Sequence, residues 1–351
     1  MGVVSDPGLL DAPERVQSTL SEYGARVREA VRGVLPSVAQ RPYLDALVSD
    51  YPLRGGKMMR SCLCLATARA FGARFEDALP TAVAIELLHN AMLIHDDIED
   101  GSDERRGHPA LHRLHGVPLA LNAGDTLSLL SLRPLRDNSL RLGPALAFRI
   151  LEETERMAWE SAEGQALELG WRHDNRMDVS DADYLTMILK KTCWLATIFP
   201  CRVGALIGTR GTADVEAFFR FGFFLGAAFQ IQDDILNLAG DARYGKEIGG
   251  DLWEGKRTLM LVHAWRSATR GEKARLTTLL AQPREARTIE AIAWLRDLID
   301  RADAIEYARH TAHGLAGAAL REFETLFADV PASPDREFIG GLVTWVLQRA
   351  H

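Results

Sequence analysis

Apolar residues recur at three- and four-residue spacing over most of this chain, and no alternating apolar-polar run is bounded by turn dipeptides, so the pattern predicts an all-α fold. Helices are placed at about 15–36, 57–72, 79–101, 118–132, 144–171, 181–209, 213–239 and 257–269, with four more at about 272–281, 286–300, 302–327 and 334–349. Pro52, Pro80, Pro109, Pro118, Pro144, Pro200 and Pro334 fall near helix starts or breaks, where proline is tolerated. The segments 79–101, 181–209 and 213–239 are apolar on nearly every face, as in the run Phe218, Phe219, Phe221, Phe223, Phe224 and Leu225. Helices of that kind are central ones. The pattern therefore gives a bundle of central helices wrapped by outer ones, with ligand sites built from inward-facing side chains.

Two of these apolar helices end in clustered carboxylates, Asp96-Asp97-Ile98-Glu99-Asp100 and Asp233-Asp234-Ile235-Leu236-Asn237. Asp96 and Asp100 share a helix face, whereas Asp97 lies about 100° round from Asp96. In the second cluster the residue sharing the face of Asp233 is Asn237, leaving two carboxylates and one amide. Capping does not explain acids at these ends, because aspartate belongs at helix N-termini and the C-terminal dipole disfavours it. Buried anions are paired or metal-bound, and oxygen donors without histidine or cysteine favour magnesium completed by substrate phosphate oxygens.

A phosphorylated substrate also needs cations, and the chain supplies them in four places. Gly55-Gly56-Lys57-Met58-Met59-Arg60 opens a helix, and a helix N-terminus suits anions. Arg105-Arg106-Gly107 follows the first acidic cluster, Lys191-Thr192 interrupts an apolar helix, and Gly245-Lys246 and Gly255-Lys256-Arg257-Thr258 follow the second cluster. Each basic pair alone is a common solvated face; their joint order with the acids is not. His89, seven residues before Asp96, lies about 20° from its face. By pattern alone it reads equally well as a core histidine.

Composition narrows the field further. The 351 residues are 47% hydrophobic and 25% charged, and no Pro/Gly/Ser-rich linker divides them. The reading is one domain over 1–351, with 1–14 as a flexible tail. A net charge of -7 argues against a nucleic-acid surface. Cys62, Cys64, Cys193 and Cys201 lack metal-site spacing and read as buried, reduced thiols. No signal peptide or membrane-spanning apolar stretch is visible, and Asp6 stands where an acylation signal needs Ser or Thr, so a cytoplasmic enzyme is expected.

The stretches GGKMMR, LLHNAMLIHDDIEDGSDERRG, GQALEL, KKT, FQIQDDILNLAGD and GKEIGGDLWEGKRT occur in the order and at the approximate separations of one family. Over nearly its whole length the chain resembles the trans-isoprenyl diphosphate synthases, which include farnesyl and geranylgeranyl diphosphate synthases. The resemblance implies a single large helical bundle around a deep central cavity, in a homodimer. It implies that Asp96, Asp97, Asp100, Asp233 and Asp234 hold Mg2+, three ions accompanying the bound diphosphate. Arg105, Lys191 and Lys256 would contact an allylic diphosphate (dimethylallyl, geranyl or farnesyl), with Lys246 nearby. Lys57, Arg60, His89 and Arg106 would bind isopentenyl diphosphate. Thr192 and Gln230 would place oxygens near a developing cation, and Gln165 would face the first cluster. The chain departs from the family pattern at Met58, Met59, Ser61, Asn237 and Met260; none removes an implied contact.

In such an enzyme the product tail would run back along the first acidic helix past Met92, Ala91, Leu88 and Leu87. Ala91 lies about 7.5 Å of helix above Asp96, where many short-chain members carry an aromatic floor. Without that floor, C20 geranylgeranyl diphosphate is the expected product; C15 and C25 or longer are the alternatives. A class I terpene cyclase is a rival that would not need Lys57, Arg60, His89 and Arg106. A non-catalytic regulatory subunit is another, but such a partner typically loses metal carboxylates.

Overall fold

The computed structural model describes residues 12–36, 40–239 and 249–348, and among these it is helical almost throughout. In chain order the first helices are α1 (Ala12–Val34), α2 (Asp45–Leu53), α3 (Met59–Ala70) and α4 (Phe75–Asp100). A hairpin of two two-residue strands, β1 (Glu104–Arg105) and β2 (His108–Pro109), leads to α5 (Leu111–His115), α6 (Val117–Leu130), α7 (Leu132–Leu142) and α8 (Pro144–His173). Next come α9 (Asp181–Ile188), a π-helical stretch Leu189–Ile198 and α10 (Phe199–Gly208), continuous as one long rod. The chain ends with α11 (Phe218–Ala239), α12 (Gly250–Glu254), α13 (Leu259–Ser267), α14 (Arg270–Leu280), α15 (Ile289–Arg301), α16 (Ala304–Leu326) and α17 (Pro334–Gln348).

One hydrophobic cluster runs through the molecule, with α4, the π-helical rod and α11 at its centre. Alpha α11 lies between α16 and the π-helical stretch, α3 packs on α10 and α4, and α6 and α7 cover α4 from outside. Long apolar faces on three sides are why these central sequences show little amphipathic periodicity. By length and composition α4 is apolar enough to cross a bilayer, yet most of its apolar stretch is buried among these neighbours.

The twelve predicted helices are present, with shifted ends. Helix α1 begins at Ala12, so residues 12–14, read as tail, form its first turn. Helix α3 begins at Met59 rather than 57, because Gly55, Gly56 and Met58 all have positive φ; Lys57 therefore precedes the helix. The helices α2, α5, α7 and α12 and the hairpin were not predicted. Pro52 and Pro134 sit inside α2 and α7, and short helices carry too few turns for periodicity to register.

Candidate active site

Helix α4 stops where Gly101 takes the left-handed conformation (φ 65°) and Ser102 N–H closes back on Asp97 O at 3.0 Å, a glycine C-cap. This fixes the carboxylates of its last two turns in three directions. Asp96 faces a cavity of about 940 Å³, whose wall it lines. Asp97 turns away and is wholly buried: Arg105 Nε donates to its Oδ1 at 2.9 Å, Arg105 also donates through its terminal nitrogen, and the Tyr51 hydroxyl donates to Oδ2. Asp100 is buried against Arg172, and its Oδ2 lies 2.7 Å from Lys256 Nζ without a directed hydrogen bond. Burial pulls the Asp100 carboxyl upward, but Lys256, Lys191 and Arg172 outweigh it and hold it below the usual range.

The opposite wall comes from α11. Asp233 and Asp234 both line the cavity. Asp234 accepts from Tyr184 Oη at 2.7 Å and from Gln230 Nε2 at 2.7 Å, and Thr192 Oγ1 donates to Gln230 Oε1 at 2.9 Å. Burial first, then the charges of Asp251 and Asp233, push the Asp234 carboxyl up to about 8 against those hydrogen bonds. Asn237 is buried away from the cavity; its Oδ1 accepts Asp251 N–H at 3.1 Å and its carbonyl accepts Gly249 N–H at 2.7 Å.

Cations stand between the two acidic walls. Lys191 Nζ lies 3.2 Å from Asp96 Oδ1 and is also paired with Glu168, while Lys256 Nζ lies 2.7 Å from Glu254 Oε2 as well as from Asp100. Burial opposes charge on both lysines, yet these carboxylates raise both above the ordinary ammonium range. Arg105 extends a second hydrogen bond to Asp96 Oδ2 at 3.2 Å, bridging two directions of the α4 cluster.

A second basic cluster occupies the cavity end near α3. Lys57, Arg60, His89 and Arg106 line it together, with Glu86 and Trp345. Arg106 lies against the backbone at Gly56, where a Cβ would come 3.1 Å from its guanidinium, and it donates to Tyr51 O at 3.0 Å and Asn90 Oδ1 at 3.2 Å. Burial, with Arg105 and Arg60 adding and Glu86 opposing, pushes Arg106 down to about 10. Burial first, then the charges of Arg60, Arg106 and Arg105, hold His89 well below the usual imidazole range.

Lys191 and Thr192 sit on the π-helical stretch, a form that recurs at functional sites. Glycines let neighbours press on it. A Cβ at Gly164 of α8 would overlap Lys191 N, and Cβ atoms at Gly226 and Gly222 of α11 would come 2.6 Å from Thr197 Oγ1 and 2.7 Å from Ile198 Cα.

Fourteen sequence-singled residues thus share one cavity: Lys57, Arg60, His89, Met92, Asp96, Arg105, Arg106, Gln165, Lys191, Thr192, Gln230, Asp233, Asp234 and Lys256. Lys246 lies outside the described residues. Asp97 and Asp100 do not line the cavity; both oxygens of Asp97 are engaged by Arg105 and Tyr51. Ala91, Leu88 and Leu87 do not line the cavity. Ala91 and Leu87 are fully buried in the core and Leu88 packs against it; Met92 and Leu93 hold the wall instead. Sequence reading missed Tyr51, Tyr184, Glu168, Arg172, Asp251 and Trp345. Glu168 and Asp251 fall within the matching stretches, and Glu168 shares the face of Gln165; the lone aromatics carry no signal apart from core.

Among the described residues no three histidine, cysteine or acidic side chains converge on one metal position. Mg2+ keeps few protein ligands and completes its shell from waters and phosphate oxygens. Of the aspartates in the two clusters, Asp96, Asp233 and Asp234 line the cavity, which Glu86, Glu99, Glu168 and Asp251 also line, and Asp100 offers an oxygen without a directed donor. Hard oxygen donors on two walls with cations between them can hold a polyphosphate and its counter-ions, and stabilise charge as it leaves.

Residues 41–296 match the sequence profile of the family described as polyprenyl synthetase. The chain is 34% identical over 329 residues, 93% of its length and 95% of the other, to a short-chain isoprenyl diphosphate synthase of Methanothermobacter thermautotrophicus. It is 31% identical over 362 aligned residues, covering 97% of this chain and 100% of the other, to a geranylfarnesyl diphosphate synthase of Natronomonas pharaonis. Its fold is similar, with a TM-score of 0.82 and 30% identity over 95% of this chain and 98% of the other, to the crystal structure of a geranylgeranyl pyrophosphate synthetase from Pyrococcus horikoshii.

Proposed function

The chain belongs to the polyprenyl synthetase family, as a short-chain prenyl diphosphate synthase, and on that premise we propose that it makes C20 geranylgeranyl diphosphate from an allylic diphosphate and isopentenyl diphosphate. One observation carries the reading: carboxylates of α4 and α11 face each other across a cavity that also holds two separate groups of cations. Two diphosphates need two such groups.

Asp96, Asp100, Asp233 and Asp234 are the residues that would hold Mg2+. Bound there with the allylic diphosphate, Mg2+ supplies Lewis-acid stabilisation of the departing pyrophosphate. Lys191, Lys256 and Arg105 add fixed positive charge at the same end, so the allylic C–O bond breaks with its electron pair going to pyrophosphate. Lys57, Arg60 and Arg106 hold isopentenyl diphosphate, with His89 beside them. The alkene of isopentenyl diphosphate donates its π pair to the allylic cation, forming the new C–C bond. The resulting cation loses a proton to the released pyrophosphate and regains a double bond. Thr192 and Gln230 turn oxygens toward the cation, while Met92, Leu93, Leu195 and Phe229 form an apolar wall that excludes water.

The C20 product is supported by the missing aromatic at the α4 wall, where Met92 and Leu93 stand. A C25 product has its own support in the end-to-end likeness to a geranylfarnesyl diphosphate synthase. Chromatography of products from labelled isopentenyl diphosphate and each allylic primer decides between them: a dominant C20 species supports the reading, a dominant C15 or C25 species overturns it.

We propose further that the enzyme is a homodimer through the outer face of α5 to α8. Leu114, Val117, Leu121, Leu129, Phe148 and Trp159 are exposed along it, a grouping suited to a second copy of the chain. Equilibrium sedimentation at twice 38.8 kDa supports this, and a 38.8 kDa species refutes it.

A further inference from the structure

We propose that Tyr184 is a positioning residue that acts through Asp234 and Gln230 to set which way the Thr192 hydroxyl points. The inference rests on the reading above, in which Thr192 and Gln230 face the developing cation. Tyr184 is buried on α9, two helical turns before Thr192, and reaches across to α11. Four side chains form one chain of hydrogen bonds: Tyr184 Oη to Asp234 Oδ2 at 2.7 Å, Gln230 Nε2 to Asp234 Oδ1 at 2.7 Å, and Thr192 Oγ1 to Gln230 Oε1 at 2.9 Å.

The direction of this chain follows from what each group is able to do. Gln230 Nε2 donates to Asp234 Oδ1, so the NH2 end of the amide is turned toward that carboxyl group. The amide has a single oxygen, which is then aimed at Thr192 and accepts its proton. A threonine hydroxyl whose proton is committed in this way shows lone pairs elsewhere, and Thr192 lines the cavity. The negative end of its dipole therefore faces the reacting carbons. Tyr184 anchors Asp234 through the oxygen that Gln230 does not use. Without that hydroxyl the carboxylate is free to turn and the amide to reverse; Thr192 then accepts from the amide and points its own proton into the cavity. The same oxygen atom would then disfavour a cation instead of stabilising it. Such preorganised dipoles act on the transition state more than on the bound substrate.

The test compares two non-reacting allylic diphosphate analogues by calorimetry. One carries a protonated amine at the carbon that becomes cationic; the other is its neutral carbon isostere. The wild type binds the cationic analogue more tightly. Tyr184→Phe loses about tenfold of that preference, the scale of one hydrogen bond, while its affinity for the neutral analogue and its KM for isopentenyl diphosphate stay within twofold. Gln230→Met interrupts the path downstream and loses the same preference; Tyr184→Phe added to Gln230→Met changes it no further. Tyr184→Phe with an unchanged preference, or with equal loss for both analogues, overturns the proposal, as does an unchanged preference in Gln230→Met. Thr192→Val separates the two levels: if it keeps the full preference, the placement of Thr192 beside the cation fails and the proposal with it. If Thr192→Val loses the preference and Tyr184→Phe does not, only the role of Tyr184 fails.

Discussion

Asn237 Oδ1 accepts the backbone N–H of Asp251 at 3.1 Å, so the residue that ends the second acidic cluster joins α11 to the turn before Lys256. At the matching place in the first cluster stands Asp100, paired with Lys256 itself. The two clusters look alike in sequence, but in the second the last position anchors a turn. Asn237→Ala should therefore lower stability by about 1–3 kcal/mol, the cost of stranding a half-buried backbone donor. Asn237→Asp should leave the Mg2+ concentration for half-maximal activity within about threefold of wild type. A tenfold tighter Mg2+ requirement in Asn237→Asp would show that this position can serve as a ligand.

Adjacent aspartates of the first cluster should fail in different ways. Asp96 faces the cavity, so Asp96→Ala should cost activity of about a hundredfold or more with little change in urea midpoint. Asp97→Ala takes from the buried Arg105 its main anionic partner, leaving only the 3.2 Å contact with Asp96, and should cost about 3–5 kcal/mol of stability. Equal stability losses in the two variants would contradict the division of roles.

Gly164 sets how closely α8 approaches the backbone of Lys191. Because a methyl group there overlaps Lys191 N, Gly164→Ala should destabilise by about 1–3 kcal/mol. It should also lower kcat by about a hundredfold, since a displacement of the order of 1 Å is enough to do so. A variant with unchanged kcat would show that the π-helical stretch tolerates displacement.

The length of the product should respond to Met92 and not to Ala91. Met92→Phe narrows the cavity wall and should shift products toward C15. Ala91→Phe inserts a ring into the closed core, which should lower stability by about 1–3 kcal/mol with product length unchanged. A shortened product from Ala91→Phe would show that the tail runs past that residue.

These cases mark how far the sequence carries the argument. The acids and bases were legible because helical spacing and chain order bring them together whatever surrounds them. The 100° between Asp96 and Asp97 already separated their directions; the destination of Asp97 depended on Tyr51, which lies on the short, proline-containing helix α2 that periodicity did not reveal. Ala91 and Met92 are neighbours on one apolar helix, and only the packing of α6 and α7 around α4 decides which of them meets the cavity. The π-helical stretch and Tyr184 left no trace in the pattern, since a widened turn and a core tyrosine both look like ordinary apolar helix.

The most direct test of the central claim is the stoichiometry of purified enzyme supplied with Mg2+, an allylic diphosphate and labelled isopentenyl diphosphate. Prenyl transfer through this cavity requires one pyrophosphate released for each isopentenyl unit incorporated, and no sustained release without isopentenyl diphosphate. Sustained pyrophosphate release with hydrocarbon formed and no isopentenyl unit incorporated would contradict the account.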